Sequence, residues 1–467
     1  MPESKASRAF EQAMGSPQAA DNAPALNRQA IAAVMLGTVV VALDTSLTST
    51  ALPAIARGMD VSPARMIWII NGYFLAVVAA LLPLAALGEI LGHRRIYMAG
   101  LAVFLLGSAA CALMDSLPAL IFGRALVGIG AAAVSATTPA LIKAMYPPAQ
   151  LSRGLGLYAM IVGLAVALGP TAASAILAIA TWPWLFISNA LIALTSILLA
   201  GKGVPATARS ARPFDALSAG LCALMFGCVL FAIGSGAHLG WRAVLISAAA
   251  ALLLGLCLRR REAGQPAPIL AFDLFRRPLF TLSAATSVCA FTIQGLVIVV
   301  LPFLFQFKLG YSQVQSGLLI TPWPATLALM TLVAAPLSNR IAPGALGGVG
   351  LAILCLGLIT LALMPAIADP YAISWRLVLC GIGFGLFQSP NMVALMSSAP
   401  KERSGSAGGI LATSRLLGQS LGAAAVAFCL TAWPEGGITY TLWVGAAVAV
   451  LGGGVSLARL APSVKGS

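Results

Sequence analysis

Long apolar runs limit what this chain can fold into more than any other feature. Stretches of about twenty apolar residues, the length of an α-helix that crosses a hydrocarbon core, recur near 30–53, 66–88, 96–114, 119–145, 154–180, 182–203, 215–235, 242–258, 279–305, 314–336, 344–367, 371–396, 404–432 and 438–458. Hydrocarbon offers no water to backbone N–H and C=O groups, so spanning segments are helices or closed barrels. The runs lack the period-two alternation of barrel strands. The reading is therefore an all-α membrane protein with fourteen spanning helices. Composition excludes a soluble domain: 60% of residues are hydrophobic, 9% are charged and the mean hydropathy is +0.97, whereas soluble domains are roughly a quarter charged.

Charge placement sets the orientation. With both termini in the cytoplasm, the cytoplasmic segments hold 20 of the 27 Lys and Arg. The external side holds only Arg57, Arg65, Arg242 and Lys308, and Arg124, Arg376 and Arg415 lie inside helices. That asymmetry follows the positive-inside rule. The net charge of +14 then reflects topology and contact with anionic lipid; no nucleic-acid partner is expected. Residues 1–28 are a polar tail without the apolar core of a cleavable signal. Trp68, Trp182, Trp184, Trp241, Trp375, Trp433 and Trp443 fall at external helix ends, as an interfacial belt requires. Trp323 is the exception, in mid-span. The eight cysteines lie within spans without a CxxC pair and read as small core residues, and His93 and His238 lie in loops. No metal site, cofactor or catalytic triad is expected, and the chain is read as no enzyme.

An internal repeat organises the spans. Residues 85–95 after the second span resemble 335–342 after the tenth, and Arg124 with Gly128 and Gly130 in the fourth resembles Arg376 with Gly381 and Gly383 in the twelfth. Both pairs are eight spans apart, as two six-helix halves around a two-helix insert would give. Repeated halves enclosing a midplane site are the architecture of secondary transporters. The expected division is a tail at 1–28, a first half at 29–203, a linker and insert at 204–262, a second half at 263–458 and a tail at 459–467.

These motifs resemble those of the 14-helix drug:proton antiporter family of the major facilitator superfamily, which includes quaternary-ammonium and methyl-viologen resistance pumps. Leu43-Asp44-Thr45-Ser46 through Pro53 is similar to the family's first-helix motif. Glu89, Gly92, Arg94 and Arg95 occupy the acid, second-glycine and basic positions of the superfamily loop signature. Ala85, Ile90 and His93 depart from it. Arg124 with Gly128 and Gly130 resembles the fourth-helix arginine motif. Gly163 and Gly169-Pro170 resemble the fifth-helix exporter motif, with Ala173 and Ser174 in place of its final glycines. The resemblance implies a monomeric antiporter of a bacterial inner membrane. It also implies that Arg124 takes part in proton movement or holds the first and fourth helices, and that Glu89, Gly92, Arg94 and Arg95 form a conformational latch.

The residues carry their own argument. Asp44 is the one acid placed well inside a span, where a charge costs about 2.5–3.5 kcal/mol. A carboxylate that holds either a proton or a cation is a minimal exchanger. Alternatively, Thr48 one turn on, or an arginine of a neighbouring helix, satisfies it. Arg124 and Arg376 sit about one turn inside external ends, where they either snorkel or act; Arg415 lies about a dozen residues into its span, where snorkelling reaches poorly. Tyr73, Gln294, Trp323, Phe387, Gln388 and Asn391 are further candidates to line a central cavity, with Thr48 and Arg415. An aromatic wall beside one acid suits a lipophilic cation, so the expected activity is proton-coupled efflux of cationic drugs, dyes or biocides. Export of an endogenous metabolite or antibiotic on the same fold is the alternative. No GxxxxGK[ST] motif is present, which leaves an ion gradient as the drive. The partners are then the substrate, protons and membrane lipid.

Overall fold

The computed structural model describes residues 27–147, 150–207, 215–235, 240–263, 272–338, 340–365, 369–400 and 404–461. Within them the chain is helical, with no strand. The long helices are α1 (Arg28–Met59), α2 (Trp68–Leu91), α3 (His93–Cys111), α4 (Leu117–Met145), α5 (Leu151–Ile179), α6 (Pro183–Gly203), α7 (Ala216–Ser235) and α8 (Gly240–Glu262). They continue as α9 (Pro278–Phe303), α10 in two segments (Gln313–Ile320 and Pro322–Leu337), α11 (Pro343–Ala362), α12 (Pro370–Ser397), α13 (Ser404–Ala432) and α14 (Gly437–Ala458). Among the described residues thirteen helices are long and apolar enough to cross a membrane. The remaining expected span is α7, 20 residues long, whose apolar stretch Ala216–Val229 is shorter.

Local chemistry explains the helix ends. Asn27 accepts the Ala30 amide at 3.1 Å at the head of α1, and Ser312 and Gln315 cap α10 reciprocally. Pro183, Pro278, Pro343 and Pro370 open their helices in the first turn, where an amide has no intrahelical partner to lose. Helix α10 breaks at Thr321, immediately before Pro322 and Pro324.

Packing repeats with an offset of eight helices. In the first half α1 packs on α4, α5 and α6, α4 on α2 and α3, and α3 on α6. Every one of these pairs recurs: α9 on α12, α13 and α14, α12 on α10 and α11, and α11 on α14. The halves meet where α1 packs on α9, α2 on α13 and α5 on α10. Helix α7 pairs with α8 and lies over both α2 and α13.

The repeated glycines are points of close approach. A Cβ on Gly130 would stand 2.6 Å from the Gly100 carbonyl of α3, and one on Gly383 would stand 2.6 Å or less from the Gly350 carbonyl and Leu354 amide of α11. Two residues earlier on each helix, a Cβ on Gly128 would stand 2.6 Å from the Tyr73 carbonyl and one on Gly381 2.7 Å from the Trp323 carbonyl. Tyr73 and Trp323 are therefore counterparts. The same register pairs Arg124 with buried Leu377, not with Arg376. The Arg376 side chain bonds the Thr360 carbonyl at 3.0 Å and lies over Trp375.

Candidate functional site

Three helices of the first half converge on Asp44. The glycines of α4 bring it against α2 and α3, and this depth lets Arg124 reach across to α1. Its two terminal nitrogens donate to Asp44 Oδ1 and Oδ2, each at 2.8 Å, a bidentate fork on a planar carboxylate. Asn189 of α6 donates Nδ2 to Oδ1 at 2.8 Å. Asp44 is 0% and Arg124 1% exposed. The guanidinium lies over the Tyr73 ring at 4.7 Å and the Phe186 ring at 5.7 Å, so aromatic faces replace the water it gives up. Among the described residues Arg124 Nε and Asn189 Oδ1 have no partner, and neither polar side-chain atom of buried Asn71 does.

The partner of Asp44 is thus an arginine of a neighbouring helix and not Thr48. The carboxylate is not open to a cavity: its bonds come from Arg124 and Asn189. Thr48 is buried one turn away and forms none of these bonds. Among the described residues no other acid lies in the middle of a spanning helix. The sequence reading missed Asn189; its signal is an amide in the midst of the apolar sixth span.

In the second half, Gln419 of α13 donates Nε2 to Gln294 Oε1 of α9 at 3.0 Å. Helix α13 fits closely because Gly295 lies against the Gln419 backbone and Gly418 against the Val288 carbonyl. Arg415 precedes Gln419 by one turn and so shares its face. Arg415 is half-buried, and among the described residues its buried Nε has no partner. Gln388 is half-buried, with Oε1 also unpartnered. Buried Phe387 packs edge-on against Phe384, with ring centroids 5.8 Å apart, and Phe384 against Phe291 at 5.6 Å. Trp323 is buried at the head of the second segment of α10.

Other candidates sit elsewhere. Asn391 donates to Ser287 Oγ at 2.7 Å and the Ser283 carbonyl at 3.2 Å, and accepts from Arg459 at 2.7 Å. Both ends of its amide are spent joining α9, α12 and the end of α14, which departs from a cavity-lining role. Exposed Glu89 makes no ion pair with Arg94 or Arg95. Arg94 instead donates to the Gly201 carbonyl at 2.8 Å, a tie within the first half, and Arg95 is exposed. Gly92 has φ +98°, a conformation that only glycine adopts freely, and it turns the chain from α2 into α3.

The exporter-like motif divides similarly. At Gly163 a Cβ would touch nothing, but at Gly169 it would collide with Ser46 of α1. Pro170 has no amide to give the Val166 carbonyl, and Ser46 Oγ donates to that carbonyl at 3.1 Å.

Hydrogen bonds between the halves gather at one end. Arg57 bonds Gln306 at 2.9 Å, Thr171 bonds Thr321 at 3.0 Å and Ser174 bonds the Gln313 carbonyl at 3.0 Å. All three lie toward the membrane face opposite the described chain ends.

The profile of the Major Facilitator Superfamily matches residues 34–423. The uncharacterized transporter YebQ of Escherichia coli (strain K12) is 44% identical over 446 residues, covering 94% of this chain and 97% of its own. The multidrug resistance protein Stp of Mycobacterium tuberculosis is 31% identical over 409 residues, covering 85% of this chain and 75% of its own. The crystal structure of a D-xylose-proton symporter superposes with a TM-score of 0.68 over 94% of this chain and 99% of its own. At 14% identity that likeness is one of fold.

Proposed function

The chain belongs to the Major Facilitator Superfamily, and we propose that this transporter is a proton-coupled antiporter exporting drug-like small molecules from the cytoplasm. The observation that carries the reading is the Asp44–Arg124 pair, buried where α1, α4 and α6 meet. A proton on Asp44 removes the charge that holds the Arg124 fork and frees the guanidinium. The three helices then have two arrangements, one with Asp44 ionised and paired and one with it protonated and parted. If each faces a different side of the membrane, every cycle carries a proton.

The polar and aromatic side chains of both halves, Tyr73, Gln294, Trp323, Phe387 and Gln388, are the proposed cargo wall. The Lys and Arg distribution supports cytoplasmic termini. On that orientation the bonds at Thr171–Thr321 and Arg57–Gln306 close the external side. The name of Stp, a multidrug resistance protein, favours export of drugs. Each charge moved gains about 2.3 kcal/mol per 100 mV, enough to drive such an exchange.

The test uses inverted membrane vesicles holding the full chain and a pH-sensitive dye. Addition of cargo should collapse the acid-interior gradient, and Asp44→Asn should abolish the collapse. Exchange by Asp44→Asn at the wild-type rate would refute the proton role.

A further inference from the structure

The mid-membrane charges do not balance in favour of a cation. Asp44 is neutralised by Arg124 through both of its oxygens. Arg376 is held by backbone carbonyls of α11 and α12. Arg415 remains: no carboxylate pairs with it among the described residues, and its Nε is buried without a partner. A half-buried guanidinium a dozen residues into a span, with no carboxylate partner among the described residues, is open to an anionic counterpart. A positive charge at that depth also repels a cationic cargo. Its surroundings suit the opposite sign. Gln419 stands one turn away on the same helix and is bonded to Gln294 of α9, and Phe291, Phe384 and Phe387 form a ring cluster in the same half.

We infer that Arg415 is a binding residue for cargo, and that the cargo is an aromatic or otherwise apolar molecule carrying a carboxylate or comparable oxyanion. The guanidinium fork takes two anionic oxygens side by side. The Gln294–Gln419 pair supplies an amide edge beside it, and the apolar body rests against aromatic rings. This inference rests on the transport reading for the direction of movement, but not for binding. It replaces the lipophilic cation, because the acid that was to attract a cation already has its arginine.

The experiment compares three probes of one shape: 2-naphthoate, its neutral amide 2-naphthamide, and 2-naphthyltrimethylammonium. Binding to the purified full-length protein is measured by isothermal titration calorimetry. The carboxylate should bind at least about tenfold more tightly than either other probe. Arg415→Met should abolish that advantage. Arg415→Lys keeps the charge but loses the fork, so it should preserve the rank order with weaker binding, which separates a lost site from a misfolded variant. Absence of naphthoate binding, equal binding of all three, preference for the ammonium, or an advantage that survives Arg415→Met would each overturn the assignment. Arg415-dependent naphthoate binding without proton-driven uptake into inverted vesicles would defeat the export reading alone. Proton-driven uptake of the ammonium probe only would defeat the inference alone.

Discussion

Ser46 donates its hydroxyl to the Val166 carbonyl, 3.1 Å away, the acceptor that Pro170 leaves without an amide. The exporter-like motif is thus half of a joint whose other half lies on α1, two residues from Asp44. Ser46→Ala strands a carbonyl where no water replaces the donor, a loss of about 1–3 kcal/mol. Gly169→Ala forces a methyl into Ser46 and should cost at least as much, whereas Gly163→Ala, with open space around it, should be near neutral. Thermal unfolding in detergent, followed by fluorescence-detected size exclusion, should rank the three in that order.

Removing one member of the buried pair should be worse than removing both. Asp44→Asn leaves the Arg124 charge without compensation, a penalty of about 3–5 kcal/mol. The double variant Asp44→Asn, Arg124→Gln should recover most of the stability and none of the proton-driven exchange. A double variant whose loss equals the sum of the two single losses would show that the two side chains act separately.

The repeat makes a paired prediction. Gly130→Val and Gly383→Val place side chains against equivalent backbones in the two halves, and each should destabilise the protein by about 1–3 kcal/mol or more. Melting temperatures should fall by similar amounts, and a large drop at one site only would argue that the halves pack differently.

The closed end offers a reversible block. Thr171 and Thr321 face each other across the halves with their hydroxyls 3.0 Å apart. Thr171→Cys with Thr321→Cys should form a disulfide that stops transport under oxidation and releases it on reduction. Transport at the wild-type rate by the fully crosslinked protein would mean that the halves need not part there.

The architecture was legible because hydrocarbon imposes length and apolarity on each span, and because Gly128, Gly130, Gly381 and Gly383 mark the contacts that repeat. Asp44 stood out for the same reason: hydrocarbon makes a mid-span acid conspicuous. Of its partners, Arg124, 80 residues away, was within reach of the motif resemblance, whereas Asn189, 145 away, was not, and nothing local tells a cavity-facing carboxylate from a paired one. Asn391 shows the same limit, since its depth is readable but the direction of its amide is not. Gly163 and Gly169 match one motif equally well, yet only Gly169 touches another helix. The apparent likeness of Arg376 to Arg124 fails by a single position, which on a helix turns a side chain by about 100°.

Helix α7 lies over α2 and α13 and therefore bridges one of the two lateral seams between the halves, while among the described residues α5 and α10 meet without such a cover. A symmetric pair of halves is thereby given a left and a right. If the halves rock, the α2–α13 flank must shear against a third helix, whereas the α5–α10 flank parts a direct contact, Thr171 from Thr321 and Ser174 from the Gln313 carbonyl. The insert thus acts mechanically as a spine, and a molecule dissolved in the bilayer meets a bound edge on one side and a fore-edge on the other.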